Sequence, residues 1–236
     1  MRATAGSAAD PKIWSTGLMN ERKALIVWGG WEGHQPDQCA AIVEKFLVED
    51  GFLVTKENQT AVFGDPDLGR FDLIIPIYSM GNIAESAAKN LSATIESGVG
   101  LAGFHGGMGD SFRLNTDYQF ITGGQWVAHP GNIISYRVNI IEKNDPITSG
   151  IQDFNYQSEQ YYMHVDPSNN VLATTTFSGD FCSWINGVKM PVVWKRMHGR
   201  GKVFYSSLGH LVSEFAVPEM ATLLRRGMLW AARNGG

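Results

Sequence analysis

Only two cysteines occur in 236 residues, Cys39 and Cys182, and they lie far apart in the chain. No metal-pair or redox-pair spacing arises, so both are read as small buried thiols. No apolar run approaches the roughly 20 residues of a membrane span, and no membrane partner is expected. Positive charge is not in excess: 19 Lys and Arg against 23 Asp and Glu leave a net charge of −4. That balance gives no electrostatic footprint for nucleic acid. Met1 to Asn20 lacks the charged start and continuous apolar centre of a secretory signal, so a cytoplasmic protein is expected.

Catalytic signatures are scarce as well. There is no G-x-S-x-G elbow of a serine hydrolase. No two histidines stand in H-E-x-x-H or H-x-x-x-H spacing, so any metal site would need distant residues to converge through the fold. A divalent metal is therefore left open. The glycines that follow His105 form neither a dinucleotide fingerprint nor a lysine-bearing phosphate loop, and no nucleotide cofactor is expected.

What is present is a succession of short apolar runs punctuated by glycine. The central one is Val99 to Phe104, which stops at His105 and is followed at once by Gly106, Gly107 and Gly109. Its length and lack of polar residues suit a buried parallel strand. The glycines suit a tight turn with positive φ and close backbone approach. Such a turn lifts His105 to the carboxyl end of its strand, where open α/β sheets bind ligands. The plainer alternative is a core histidine beside an ordinary strand–helix turn.

Further strands are expected at Lys23–Trp28, Phe52–Thr55 and Phe71–Tyr78, the last with Pro76 near its end. Helices are expected at Asp37–Asp50, opened by Pro36 and stopped by Gly51, and at Glu85–Ser97 before Gly98. The second half changes character. Thr116–Gly124 reads as a short helix, and Ile133–Ile141 alternates like a half-buried strand. Pro191–Arg196 and Lys202–Ser207 read as a hairpin around a Met197–Gly201 loop. The stripe Met220, Leu223, Leu224, Met228 and Leu229 gives Pro218–Arg233 a core-facing side. The expectation is an α/β, flavodoxin-like three-layer sandwich with a mostly parallel central sheet and extra antiparallel strands in the C-terminal half. Residues 1–22 read as an N-terminal arm and 23–236 as a single domain.

All six histidines fall in or beside predicted loops and strand ends. His34, His105 and His210 each follow a predicted strand, so parallel neighbours would bring the three rings to one rim. Glu159, in SEQYYMH, adds a carboxylate with Tyr161 beside it. Convergent His, Glu and Tyr in a concave site make acid–base catalysis available. His129 sits in a turn before Pro130 and is expected to touch substrate or support a residue that does. His198, in MHGRG, is expected to be an exposed loop residue. Trp28, Trp31 and Trp126 offer faces on which a sugar could stack, with burial in the core as the alternative.

From about Lys23 to Ala232 the chain resembles the ThuA-like family, trehalose-utilization proteins with a class I glutamine amidotransferase-like fold. The resemblance rests on ALIVWGGWEGH, GLAGFHGG, SEQYYMHVDP and PVVWKRMHGRGKVFYSSLGH. In the amidotransferase relatives a nucleophilic cysteine occupies the turn after the central strand. Here that turn holds His105 with no cysteine nearby, which argues against glutaminase chemistry. The resemblance implies a role in sugar metabolism. By position it nominates His34, His105, Glu159, Tyr161 and His210 as the site; with the reading of the residues above, His105, His34, Glu159 and His210 are expected to be catalytic, and Tyr161, Trp31, His129, Gly106 and Gly107 substrate-binding. Two functions follow. One is an enzyme acting on a disaccharide or keto-sugar derivative, by hydrolysis or elimination. The other is a non-catalytic carbohydrate-binding or regulatory module on the same scaffold. A small sugar is the expected ligand, and self-association into a homo-oligomer is left open.

Overall fold

The unbroken apolar runs become the middle of one sheet. In the computed structural model, which describes residues 21–233, β1 (Arg22–Gly30), β3 (Leu73–Ser79), β4 (Gly100–Phe104) and β11 (Gly201–Ser206) are buried along most of their length. The expected N-terminal arm lies outside the described residues, apart from Glu21 and Arg22, the latter already in β1. With β2 (Phe52–Glu57) on the far side of β1, these five strands run in the order β2-β1-β3-β4-β11, all parallel. That is the flavodoxin-type order, in which the chain reverses its direction of travel after β2 and leaves a switch point between β1 and β3.

The sheet then changes kind. β10 (Lys189–His198), β9 (Asn170–Thr176), β6 (Ile133–Ile140) and β7 (Phe154–Glu159) extend it beyond β11, every one antiparallel to its neighbour. The expected mostly parallel sheet is thus a nine-stranded mixed sheet, with parallel order confined to one half. The cause is local. Gly199 takes φ +60° in a two-residue turn between β10 and β11, and a turn that tight can only return the chain antiparallel. A separate ribbon pairs β5 (Gly124–Ala128) with β8 (Tyr162–Val165).

Period-two alternation divides the core. Ala24 and Ile26 of β1 face one side of the sheet, against α1 (Pro36–Glu49) and α5 (Pro218–Ala231) through Val43, Leu47, Leu223 and Met228. Leu25 and Val27 face the other, against α2 (Glu85–Glu96) and α4 (Thr116–Thr122) through Leu91, Ile95, Tyr118 and Ile121. Each such fully buried aliphatic side chain contributes roughly 1.5–3 kcal/mol relative to exposure.

Two sequence readings need correction here. Pro76 lies in the middle of β3, not near its end; β3 and β4 pair only at Leu73 and Ile74, so the proline falls where that ladder has already opened. The spacing G-x-G-x-x-G does occur, at Gly98, Gly100 and Gly103, but before and within β4 and not in the turn after it. Gly100 and Gly103 are explained by packing: a Cβ would stand 2.2 Å from the Ala231 carbonyl oxygen and 2.5 Å from Met108 Cβ, respectively.

Candidate active site

Three loops at the carboxyl ends of parallel strands meet over the sheet. After β1, Gly29 and Gly30 adopt φ of +142° and +78°, and Trp31 N–H donates to the Ser79 carbonyl at 3.1 Å. This directs the chain across the end of β3 and places His34 Nδ1 2.6 Å from Ser79 Oγ. After β4 the backbone turns sharply at His105, with φ +46°, into α3 (His105–Gly109). The left-handed residue is therefore the histidine itself and not the glycines behind it. Those glycines serve close approach: a Cβ would stand 2.4 Å from His34 Cε1 at Gly106, 3.0 Å from Ile77 Cα at Gly107, and 2.2 Å from Tyr205 Oη at Gly109. Gly106 and Gly107, expected to bind substrate, are buried in these contacts, with the His34 ring seated over Gly106.

The third loop, after β11, carries His210. It is held by Glu214, a buried carboxylate whose Oε2 accepts from Gly209 N–H at 3.2 Å, from His210 N–H at 3.0 Å and from the Tyr156 hydroxyl. Oε1 accepts from Ser158 Oγ at 3.0 Å. Four donors make this an adequately paired buried charge. Gln35 Oε1 accepts from Val212 N–H at 3.0 Å and ties the His34 loop to the His210 loop. The antiparallel half supplies the fourth member, Glu159, from the last position of β7.

His105 is at the centre, and it is 1% exposed. It stands at the carboxyl end of its strand, as expected, but with the burial of a core residue. Its Nδ1 donates to the Ser207 carbonyl at 2.9 Å, and since a carbonyl only accepts, this fixes the proton on Nδ1. In the neutral ring Nε2 is then a bare lone pair. It accepts from the Tyr161 hydroxyl at 2.8 Å and faces Glu159 Oε2 at 3.2 Å and His210 Nδ1 at 3.2 Å. Tyr161 stacks on the ring at a centroid distance of 4.1 Å. One ligand atom from each of His34, His105, Glu159 and His210 lies within 4.8 Å of the others, a group able to hold a metal ion.

The electrostatics follow from burial and crowding. Burial, reinforced by His105 and His210, pushes His34 down to about 3, so its ring is neutral at neutral pH. Burial works to raise Glu159, but hydrogen bonds and charge from His105 and His210 in their protonated forms outweigh it and hold the carboxyl well below its usual range. Burial, with Tyr205 and Glu159 nearby, raises the Tyr161 hydroxyl well above its ordinary value, so it stays a proton donor.

Above the cluster lies a cleft of about 540 Å³. Glu159, Tyr161 and His34 face it, with Trp31, Trp126 and His129 among its walls; neither His105 nor His210 lines it. Trp31 stands 46% exposed at the rim, its ring edge-on to His34 at 4.6 Å. His129 Nε2 is 3.7 Å from Glu159 Oε1, and its other nitrogen is buried without a partner, as is Trp126 Nε1. Trp28 is not in the cleft but packs against the core on the α1 side. His164 is exposed on β8.

His198 departs from expectation: it is 7% exposed at the end of β10, with Nε2 2.9 Å from Ser92 Oγ and 3.3 Å from Glu96 Oε1. Cys39 is a buried thiol as read, pushed up to about 12 by burial, with Asp37 and Glu214 adding to it. Cys182 is only half-buried. Sequence reasoning missed Ser79, Glu214, and the cleft pair Asp110–Arg113, joined by two hydrogen bonds of 2.6 and 2.7 Å. Their only signal was position: IYS ends β3, and GHLVSE follows β11.

A flavodoxin-type α/β domain that presents histidine, carboxylate and tyrosine at its strand-end loops, with a histidine at the elbow after the central strand, is the class defined by this geometry. The chain belongs to the ThuA family, described as trehalose utilisation, whose model matches residues 23–231. A ThuA-like protein from Bacteroides uniformis superposes with a TM-score of 0.73 at 20% identity, covering 94% of this chain and 95% of that one. One from Parabacteroides merdae gives 0.73 at 17% identity, covering 90% of each chain. A Salmonella typhimurium protein described as cytoplasmic gives 0.64 at 12% identity, covering 89% of this chain and 100% of that one. At such identities the likeness speaks for the fold. Comparison with curated proteins gives no match. No helix among the described residues is long and apolar enough to cross a membrane.

Proposed function

We propose that this protein is an enzyme of sugar metabolism that acts on a disaccharide or a keto-sugar derivative, by elimination or hydrolysis, in the cytoplasm. The observation that carries the reading is the convergence of His34, His105, His210 and Glu159 with the Tyr161 hydroxyl beneath one tryptophan-walled cleft, which His34, Glu159 and Tyr161 face. The family's description and the cytoplasmic description of the Salmonella relative support it.

The chemistry follows from what such a floor can do. A sugar carbonyl acidifies the C–H beside it. Removal of that proton builds negative charge on the carbonyl oxygen, and expulsion of the glycosidic oxygen from the next carbon completes the elimination as that oxygen takes up a proton. The floor would stabilise the oxyanion and exchange protons with the sugar, with Tyr161 as a donor and His34 and Glu159 as acceptors, His105 and His210 holding them from beneath. No pair of carboxylates of the ordinary glycosidase kind is needed. The scaffold reads as amidotransferase-like with His105 in the nucleophile's place, and we propose that it has no glutaminase activity.

The test is turnover by the purified protein on a panel of native and 3-keto disaccharides, with products followed by NMR. Product from keto substrates, lost in His105→Ala, is the expected result. Saturable binding without any product would overturn the enzyme reading in favour of a carbohydrate-binding module.

A further inference from the structure

We propose that His105, Glu159 and His210 hold a divalent metal ion of the zinc class, with one coordination position left for water or substrate. The inference concerns the same floor as the sugar reading, but it rests on the geometry of three atoms and stands without that reading.

The three atoms are His105 Nε2, Glu159 Oε2 and His210 Nδ1. Their separations are 3.2 Å between His105 and Glu159, 3.2 Å between His105 and His210, and 3.4 Å between His210 and Glu159. Tetrahedral zinc with bonds of roughly 2.0–2.1 Å to nitrogen and oxygen requires ligand atoms about 3.3–3.4 Å apart. A triangle with these sides passes a circle of about 1.9 Å radius through its corners, so an ion bonded at about 2.05 Å to all three sits roughly 0.8 Å off their plane. The separations need not change to accept it, and the Tyr161 hydroxyl gives up its hydrogen bond to Nε2.

The protonation pattern points the same way. Ser207 takes the His105 proton on Nδ1, so Nε2 arrives as a lone pair. Glu159 Oε2 is likewise an acceptor. A proton bridges one such gap at a time, whereas a cation serves all three edges together. All three residues are at least nine-tenths buried, with exposures of 1%, 7% and 6%. Their supports resemble those that orient metal ligands: a backbone carbonyl behind His105, and Glu214 on the His210 backbone. Two imidazoles and one carboxylate with an open position form a donor set characteristic of catalytic zinc. His34, held through Nδ1 by Ser79, and the Tyr161 hydroxyl then flank the open position.

The experiment uses tag-free protein purified without chelator. Elemental analysis should find roughly one zinc-class ion per chain. After chelation and dialysis, titration with Zn²⁺ should restore one equivalent and raise the melting temperature, because an ion that binds only the folded state stabilises it. Glu159→Gln, which preserves shape, and His210→Ala should each weaken Zn²⁺ binding by more than 10-fold. Glu214→Gln, which touches no ligand atom and acts through the loop that carries His210, should lose about 10-fold. His198→Ala, at a different histidine–carboxylate pair, should bind as the parent does. Failure of the chelated protein to take up Zn²⁺, or unchanged uptake by both Glu159→Gln and His210→Ala, would overturn the site. Zinc binding without turnover of any keto-sugar would instead count against the sugar reading and leave the site standing.

Discussion

Two buried histidines, each beside a carboxylate, stand at opposite rims of the same sheet. His105 meets Glu159 at 3.2 Å beyond the carboxyl end of β4, and His198 meets Glu96 at 3.3 Å beside the start of β11. By residue type and distance they are alike. They differ in company. His105 shares its outer nitrogen with a second histidine and a tyrosine, and its carboxylate is buried beneath a cleft. His198 has Ser92 and a glutamate whose side chain is 56% exposed. Its surroundings are those of a clamp: Arg200 N–H donates to the Glu96 carbonyl at 3.0 Å, joining the β10–β11 turn to α2. A histidine–carboxylate pair alone therefore says nothing about function. Convergence of several such groups at strand-end loops under a cavity is what distinguishes one from the other.

The largest expected effect separates the two pairs by rate. His105→Ala should lower turnover by roughly 10²–10⁴, as loss of a central proton-exchanging or charge-stabilising group does. His198→Ala should leave the rate per folded molecule unchanged. If both variants lose turnover alike while folded, the comparison fails. Stability should separate them less sharply. In His198→Ala the Ser92 hydroxyl still donates to Glu96 Oε1 at 3.0 Å, so the cost is that of the lost histidine contacts, about 0.5–1.5 kcal/mol in a denaturant titration.

A smaller effect lies in pH. Burial, aided by Arg196, pushes His198 below its ordinary value despite Glu96. The unfolded chain then binds more protons than the native one between the folded value and about 6.5. This contribution is fully present above about pH 6.5 and is lost as pH falls through that window. Replacing His198 with Asn should flatten the acid-side fall in melting temperature. A steeper fall in the variant would reverse the sign argued here. The smallest effect is expected at the cysteines. Neither Cys39→Ser nor Cys182→Ser should change the rate, since neither thiol reaches the floor of the cleft, and a loss in folded protein would restore the possibility of thiol chemistry.

How much of this was legible depended on locality. β1, β3 and β4 could be read because a run such as ALIV or LII buried on both faces has no polar residue to interrupt it. His34, His105 and His210 could be read because each follows such a run. Glu159 owes its place to pairing between β6 and β7, whose register no local pattern sets, and it entered through resemblance and the tyrosines beside it. Ser79 and Glu214 act through contacts 45 and 56 residues distant in sequence, to His34 and Ser158. His198 was misread for the opposite reason: its glycine neighbours suggested a loop, but the turn closes in two residues and leaves the histidine inside the strand.

The left-handed backbone at His105 has a consequence for substitutions at that position. Ordinarily alanine is more stabilising than glycine at a helical residue, by roughly 0.5–1 kcal/mol. At φ +46° an alanine Cβ meets the following carbonyl at a cost of roughly 1–2 kcal/mol, which glycine does not incur. Both variants lose the same imidazole contacts. Their usual order should therefore invert, with His105→Gly at least as stable as His105→Ala and up to about 1 kcal/mol more so. Paired denaturation midpoints would read that inversion directly, in two proteins equally inactive.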